Sequence, residues 1–386
     1  MQRRDAVNVI SGCRLTGIAT PTNSRKNRHS RKASSLSATP ARVRPGGSLE
    51  YPFEGRPATG ESIVVAPGVH WVRMRLPMQL NHINLWLLED GEGWTIVDSG
   101  IKNEETTQAW EQLFAGTMNG RPVKRVIVTH MHPDHIGLAG WLVRKFDVEL
   151  WITRTEFLMC RNLAADTGQE APTEALRFYR AAGFPEDLLE NYRTRFGGFG
   201  MGVYRLPNSF HRIVEGDTIE IGANTWRVVG GNGHSPEHAC LWCPKLNVFI
   251  SGDQLLPKIS SNVSIHPTEP EANSLQDWLD SCTKLKTIVP DDALVLPSHN
   301  EPFRKATVRL QELIDHHEEG MEKLLALCAE PKRAVDVFPA LFRSRITQGN
   351  YGMATGESLA HLNCLRARGR ILRSTDRNGI NWYEAI

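Results

Sequence analysis

The chain has 386 residues, of which 40% are hydrophobic and 23% are charged, an ordinary composition for a globular protein. No apolar stretch reaches the roughly 18–20 residues of a membrane-spanning helix, so we expect no membrane partner and a cytoplasmic location. The net charge of +2 conceals a basic segment at residues 1–48 and an acidic remainder of 35 basic and 42 acidic residues, a balance poorly suited to wrapping a nucleic-acid backbone.

Residues 1–48 carry ten lysines and arginines against one acidic residue, and they are rich in serine and proline. Such a segment buries too little apolar surface to fold, so we predict a disordered basic tail. The composition is equally typical of an organellar targeting peptide, and a start codon assigned too early would also explain it. The seven cysteines are scattered along the chain, and we interpret them as reduced intracellular thiols.

The next part of the chain alternates between apolar strand patterns and helical patterns. We predict strands over 69–76, 123–130 and 148–153, a hairpin over 83–98, and helices over 103–115 and 137–146. Strand, helix and strand in this order indicate an α/β core. Residues 154–200 form a helical insertion rich in aromatic side chains, and its Gly-rich end "GGFGMG" is predicted to be a loop.

Short strands resume after the insertion, through "HACLWCP" and ending at "ALVLPSH" (293–299), with a helix over 271–288. From residue 303 the pattern changes to amphipathic helices. One of these helices is predicted to begin at Gly356, and a hairpin around Arg377–Gly379 follows it. Helices followed by a hairpin favour a small winged-helix-like domain at residues 303–386.

The segment "VTHMHPDHIG" places three histidines and an aspartate within six positions, directly after an apolar strand. His130 and His132 leave the strand on the same side, and Pro133 restricts the backbone before Asp134 and His135. One short loop therefore offers two histidines to one metal ion and an aspartate with a histidine to a second. Open α/β sheets place sites of this kind at the carboxyl ends of strands.

Further candidate ligands follow later strands in the same way. His234 follows "WRVVGG", Asp253 follows "LNVFIS", and His299 follows "ALVL". Imidazole and carboxylate ligands without a thiolate suit Zn²⁺, and also Mn²⁺ or iron. Asp98, at the end of an earlier strand, is expected to hold a ligand histidine. His238 is expected to play a supporting or structural part.

At this point the chain resembles the metallo-β-lactamase-fold hydrolases, on "THMHPDHIG" with Asp98 upstream and His234, Asp253 and His299 downstream. The resemblance covers about residues 65–303 and implies an αββα sandwich of the α/β (α+β) class, with a catalytic domain over 49–302. It also implies that one metal lies between His130, His132 and His234, that the other lies between Asp134, His135 and His299, and that Asp253 bridges them.

Two departures from the common pattern of that family concern the surroundings of the ligands. The usual loop "GHTPGH" is here "GHSPEH", with Glu237 in place of a glycine, and the helical insertion lengthens the interval before His299. The C-terminal region resembles the small domain of the lactamase-beta-2-like branch, which includes thioesterase-like and endoribonuclease-like members. The thioesterase-like members also connect the chain to the glyoxalase II (hydroxyacylglutathione hydrolase) branch.

Two close metal ions lower the pKa of a shared water, so we predict a hydrolase in which hydroxide attacks a carbonyl or phosphoryl centre. Asp134 and Asp253 are the candidate proton acceptors. The preferred substrate is a small-molecule thioester, ester or lactone, bound in an apolar pocket of the insertion that includes Phe178 and Tyr179.

Three alternatives to a small-molecule hydrolase stay open from the sequence. A single-strand endoribonuclease would use the C-terminal arginines, namely Arg366, Arg368, Arg370, Arg373 and Arg377. A regulatory protein that binds nucleic acid through the wing would need no metal ligands, and the full ligand set argues against it. An iron-dependent persulfide dioxygenase would use the same ligands, but two full ligand groups with a bridging aspartate favour a dinuclear hydrolase.

Overall fold

The structure is a computed structural model that describes residues 42–43, 49–78, 80–343 and 345–386. Most of the basic tail predicted for residues 1–48 lies outside these residues. Its two described residues depart from the expectation, because they form strand β1 (Arg42–Val43), which pairs with β2 (Glu50–Tyr51). In the part of the chain that is described, no helix is both long and apolar enough to span a membrane.

Seven strands form the first sheet in the order of the chain. They are β3 (Ser62–Ala66), β4 (Val69–Arg75), β5 (His82–Asp90), β6 (Gly93–Val97), β7 (Val123–Ile127), β8 (Leu150–Ile152) and β9 (His211–Arg212). Neighbours from β3 to β6 pair antiparallel, and those from β6 to β9 pair parallel. The hairpin predicted over 83–98 is β5–β6, whereas β3 was not predicted.

Five strands form the second sheet. They are β10 (Thr218–Ile221), β11 (Asn224–Gly231), β12 (His238–Cys243), β13 (Val248–Gly252) and β14 (Leu294–Pro297). The first four pair antiparallel and β14 pairs parallel with β13, so the last two strands end at the same edge. A separate two-stranded sheet, β15 (Ile371–Thr375) and β16 (Asn381–Ala385), is the hairpin predicted around Arg377–Gly379.

The helices lie between and after these strands. They are α1 (Glu104–Ala115), α2 (Pro133–Ile136), α3 (Ala139–Phe146), α4 (Arg154–Ala165), α5 (Thr173–Ala182), α6 (Glu186–Arg195), α7 (Ser274–Ile288), α8 (Ala306–Leu327), α9 (Phe338–Leu341) and α10 (Tyr351–Ala367). The Gly-rich segment predicted as a loop contains a short 3₁₀ turn, Gly198–Gly202. A second 3₁₀ turn, Ala334–Val337, precedes α9.

Three hydrophobic layers give the sandwich its architecture. Side chains of both sheets, such as Ile127 and Val228, meet in a central core. Trp110 of α1 and Leu142 of α3 pack on the outer face of the first sheet. Trp278 of α7 packs on the outer face of the second. The order of layers is helix, sheet, sheet and helix, which confirms the predicted αββα fold.

The C-terminal helices share the core that lies on the outer face of the second sheet. Leu310 of α8 and Leu362 of α10 belong to the same buried cluster as Trp278 and Phe249 of the sandwich. Helix α10 begins at Tyr351, five residues before the predicted start at Gly356. A glycine inside this helix is explained by close packing, because a Cβ at Gly356 would lie 2.7 Å from the Ser264 hydroxyl.

Candidate metal centre

The four polar residues of "HMHPDH" lie just beyond the carboxyl end of β7. The backbone turns into α2 at Pro133, which occupies the first turn of that helix, where its missing N–H costs nothing. His234 lies between β11 and β12, Asp253 directly follows β13, and His299 follows β14. Strands of both sheets therefore deliver the predicted ligands to one edge of the sandwich.

The predicted ligands form two groups. The ligand atoms of His130, His132 and His234 all lie within 4.8 Å of one another, and those of Asp134, His135 and His299 do so as well. Within the first group, His130 Nε2 lies 2.9 Å from His132 Nδ1. Each group has the size that a single metal ion with three protein ligands requires.

Asp253 lies between the two groups, with one carboxylate oxygen towards each. Its Oδ2 lies 3.4 Å from His234 Nε2, and its Oδ1 lies 3.4 Å from His299 Nε2 and 3.5 Å from His135 Nε2. The geometry is that of a carboxylate that can bridge two cations. Asp134 Oδ2 lies 3.4 Å from His299 Nε2 and completes the second group.

Several of these polar atoms are buried without a hydrogen-bond partner. They include Nε2 of His135, Nε2 of His234 and Oδ1 of Asp253. Leaving such atoms without partners costs free energy, about 1–3 kcal/mol each and more when charged. The orphaned atoms point towards one another from different strands, so the residues present fit a pair of metal ions.

The Nδ1 atoms of three candidate ligands contact groups that only accept hydrogen bonds. His135 Nδ1 donates to Asp98 Oδ2 at 2.8 Å, His234 Nδ1 donates to the Asn262 carbonyl at 2.7 Å, and His299 Nδ1 donates to the His82 carbonyl at 2.8 Å. An imidazole that donates from Nδ1 and is neutral has its lone pair on Nε2. These contacts aim Nε2 of each histidine at the metal positions.

The electrostatics of the two groups differ. Burial and the neighbouring imidazole of His234 lower the pKa of His132 to about 3, so this side chain is neutral at physiological pH. Burial would also lower the pKa of His299, but the carboxylates of Asp253 and Asp134 raise it to about 10 in the metal-free protein. Without metal ions, the imidazole of His299 is therefore protonated at neutral pH, and its positive charge offsets the negative charge of Asp253 and Asp134.

Asp98 and His238 lie behind the ligands. Besides His135, Asp98 accepts a hydrogen bond from the backbone N–H of Thr129 at 2.8 Å. Nε2 of His238 accepts from the backbone N–H of Asp253 at 3.2 Å, so this histidine fixes the backbone of the bridging residue. Gly252, with φ of +53°, makes room for it, because a Cβ there would lie 2.4 Å from His238 Nε2.

Phe178 and Tyr179 line different cavities. Tyr179 faces a cavity of about 500 Å³ that reaches His132 and is bordered by the insertion. This cavity is lined by Met131, His132, Met159, Leu163, Asp166, Pro172, Glu174, Ala175, Tyr179, Tyr192, Phe196, Phe199, His266, Pro267 and Thr268. Phe178 lines a separate cavity beside Pro270 and Tyr383 and packs against the core that the C-terminal helices share with the second sheet, so the cavity at His132 includes Tyr179 but not Phe178.

Sequence reasoning missed Glu156, which lies in the first turn of α4 and is fully buried. One carboxylate oxygen accepts from the backbone N–H of Met131 at 2.8 Å, and the other accepts from the backbone N–H of Glu237 at 2.8 Å. Glu156 thus joins the "HMHPDH" loop to the loop that carries His234. No sequence signal pointed to this role of Glu156, because acidic residues are common near the start of a helix.

Comparison with known proteins agrees with this geometry. The family model of the metallo-beta-lactamase superfamily matches residues 79–299, which is more than half of the chain. The chain belongs to the metallo-β-lactamase superfamily. A second model, the metallo-beta-lactamase-like C-terminal domain, matches residues 321–386.

Two of the similar proteins align over most of the chain, and a third aligns over about a third of it. A beta-lactamase domain protein from Burkholderia ambifaria has a crystal structure with 41% identity and a TM-score of 0.80, covering 88% of this chain and 98% of that one. Probable metallo-hydrolase YqjP of Bacillus subtilis is 25% identical, over 80% of this chain and 95% of its own. A hydroxyacylglutathione hydrolase of Rhodospirillum rubrum is 28% identical over 31% of this chain and 44% of its own.

Proposed function

We propose that this metallo-hydrolase binds two Zn²⁺ ions and cleaves small-molecule esters or thioesters with an apolar acyl group, lactones being the cyclic case. The observation that carries the substrate class is the cavity of about 500 Å³ next to His132, in which ten of the fifteen lining residues are Met, Leu, Ala, Pro, Phe or Tyr. A cavity of this size matches ordinary small-molecule sites. The partial match to a hydroxyacylglutathione hydrolase supports thioester cleavage.

The residues around the ligands define what the protein contributes. When bound, the two metal ions supply Lewis acidity and lower the pKa of water. His130, His132 and His234 would hold one ion, Asp134, His135 and His299 would hold the other, and Asp253 would lie between them. The side chain of Asp134 is 17% exposed and that of Asp253 is 10% exposed, so Asp134 is the more accessible carboxylate for accepting a proton.

Four of the five C-terminal arginines favour a small-molecule hydrolase over RNA cleavage, because they are paired with carboxylates. Arg368 pairs with Glu318 at 2.9 Å and Arg370 with Glu322 at 3.0 Å, while Arg366 and Arg373 both pair with Glu271. Guanidinium groups held by carboxylates of the same chain are less available to phosphates. The endoribonuclease therefore stays the second candidate.

The test is a comparison of kcat/KM for acyl thioesters of rising chain length in two neighbouring variants. Each methylene buried in an apolar pocket contributes up to about 0.8 kcal/mol, or roughly a fourfold gain per carbon. We expect kcat/KM to rise with chain length in the wild type and in Phe178→Ala, and to rise less in Tyr179→Ala. Thermal unfolding of both variants checks that they are folded.

The proposal would be overturned if the Zn²⁺-loaded wild type cleaves no thioester, ester or lactone yet cuts single-stranded RNA. The endoribonuclease would then be the function that the data support. An equal loss of chain-length preference in Phe178→Ala and Tyr179→Ala would place the acyl group outside the cavity at His132.

A further inference from the structure

A short loop, residues 260–265, separates the candidate metal centre from the C-terminal helices. On one side of the loop, the backbone carbonyl of Asn262 accepts a hydrogen bond from His234 Nδ1 at 2.7 Å. The Ser261 hydroxyl donates to the backbone carbonyl of Asp253. The loop therefore contacts two of the candidate ligands, one in the first ligand group and one at the bridging position.

The other side of the same loop is fixed to helix α10. The side-chain amide of Asn262 donates to the Glu357 carboxylate at 2.8 Å. Three residues later, the backbone N–H of Ile265 donates to the carbonyl of Gly356 at 3.0 Å. Because Gly356 has no side chain, the helix can approach Ser264 closely enough for these contacts to form.

Buried histidines of the C-terminal helices support this arrangement from behind. The Ser260 hydroxyl lies 3.2 Å from Nε2 of His317 on α8, and Nδ1 of His317 lies 3.2 Å from Nε2 of His361 on α10. Nδ1 of His361 donates to the carbonyl of Glu357 at 2.8 Å. A continuous set of hydrogen bonds thus connects α8 and α10 to the loop.

A carbonyl that accepts from a ligand histidine sets the tautomer and the orientation of the ring. The carbonyl can hold the ring in one orientation only if the carbonyl itself is held in one position. The side chain of Asn262 is held by two contacts, because its amide nitrogen donates to Glu357 and its amide oxygen accepts from the Ser264 hydroxyl. These contacts restrain the residue whose backbone carbonyl accepts from His234. The Glu357 carboxylate does not touch His234, so its effect on the metal would pass through Asn262.

We propose that Glu357 is a positioning residue for the metal ligand His234, acting through Asn262, and that the C-terminal helix α10 is thereby part of the metal centre. The inference rests on the dinuclear site of the proposed function. It gives the C-terminal region a part in metal binding, independent of any substrate or nucleic acid.

The test measures Zn²⁺ binding to the full chain in competition with a chromophoric chelator. Loss of a residue that orients a ligand typically weakens metal binding roughly 10–100-fold, and we expect about tenfold for Glu357→Ala because it acts at one remove. The affinity should fall for only one of the two bound ions. That ion should be the one lost in His234→Ala, not the one lost in His299→Ala.

Four further variants separate positioning from general stability. Glu357→Gln keeps an oxygen that can accept from Asn262, so it should bind Zn²⁺ about as tightly as the wild type. Asn262→Ala leaves α10 unchanged and should show the same loss of Zn²⁺ affinity as Glu357→Ala. The double variant Asn262→Ala/Glu357→Ala should lose no more affinity than Asn262→Ala alone, because Glu357 acts through Asn262. Glu322→Ala, at an ion pair on the surface of α8, should bind Zn²⁺ as the wild type does.

Failure of the inference is distinguishable from failure of the proposed function. If the wild type binds no Zn²⁺, the dinuclear site itself is wrong. If the wild type binds two ions and both Glu357→Ala and Asn262→Ala, folded by circular dichroism, bind them equally tightly, the positioning role is wrong. Equal weakening of both ions, together with a lowered Tm, would show a structural role only and would also overturn the inference.

Discussion

The backbone N–H of Glu237 donates a hydrogen bond to the carboxylate of Glu156, and the backbone N–H of Thr155 donates to the carboxylate of Glu237 at 2.7 Å. The two glutamates therefore join the first turn of helix α4 to the loop that carries His234. Glu237, which stands where the usual "GHTPGH" has its second glycine, thus contacts the helical insertion. The insertion is the other feature that distinguishes this chain.

Glu156→Gln is expected to weaken this junction. Glu156 satisfies two backbone donors with two oxygens, and glutamine offers only one oxygen, so one buried N–H would face an amide nitrogen. An unsatisfied buried donor costs about 1–3 kcal/mol, which denaturant unfolding would measure. Glu237→Gln is the matched control, since it keeps an oxygen for Thr155. A Glu156→Gln variant as stable as the wild type would show that the two hydrogen bonds of Glu156 contribute nothing.

Asp98→Asn should impair the second ligand group. The Asp98 backbone has φ of +61°, a conformation that asparagine tolerates, so the change tests the side chain alone. An amide nitrogen opposite His135 Nδ1 would favour the tautomer with hydrogen on Nε2, where the metal binds. We expect a loss of Zn²⁺ affinity of roughly 10–100-fold, measured by chelator competition.

A buried aspartate far from the site provides the control for that variant. Asp90 is buried and accepts from Thr95 at 2.9 Å, yet it contacts no candidate ligand. Asp90→Asn should reduce stability without changing the Zn²⁺ affinity. A similar affinity in Asp98→Asn and the wild type would contradict the role of Asp98.

Gly252→Ala should displace His238. A Cβ at this position would lie 2.4 Å from His238 Nε2, and the backbone has φ of +53°. Gly120→Ala is the matched control, since Gly120 has φ of +68° with no atom within 4 Å of its Cβ position. We expect Gly252→Ala to lower the free energy of unfolding by at least about 1 kcal/mol more than the control does. Equal losses would mean that only backbone strain matters.

Metal binding is expected to release protons near neutral pH. The pKa of His299 is raised to about 10 in the metal-free protein, so this imidazole is protonated at pH 7.5 and must lose its proton to bind a metal. Zn²⁺ affinity should therefore rise with pH across the range from 7 to 9. Calorimetry in two buffers of different ionisation enthalpy measures the release. Identical heats in both buffers would contradict this protonation state.

Much of the fold and the clustering of the candidate ligands could be predicted because their signals are local. Each candidate ligand lies in the segment that follows an apolar strand, and strands that end at one edge of a sheet bring their following residues together. The same reasoning found Asp98, which ends β6 in the way that Asp253 ends β13. These inferences needed only the strand pattern and the residue type.

The remaining features depend on contacts between distant parts of the chain. Nothing in the sequence pairs Asn262 with Glu357, because their 95-residue separation leaves no periodic pattern that would connect them. Phe178 and Tyr179 were predicted to share a pocket, although successive helix residues point about 100° apart and so face different cavities. The start of α10 was misplaced because Gly356, which looks like a helix boundary, is instead a close packing contact.

We propose that one edge of the sandwich holds two metal ions with Asp253 between them. Elemental analysis of the protein after saturation with Zn²⁺ and removal of free metal tests this most directly. We predict two ions per chain in the wild type, and fewer than two in folded Asp253→Ala, which should also lose its hydrolytic activity. A wild-type value of one or below, or two ions and full activity in Asp253→Ala, would contradict the bridged dinuclear site.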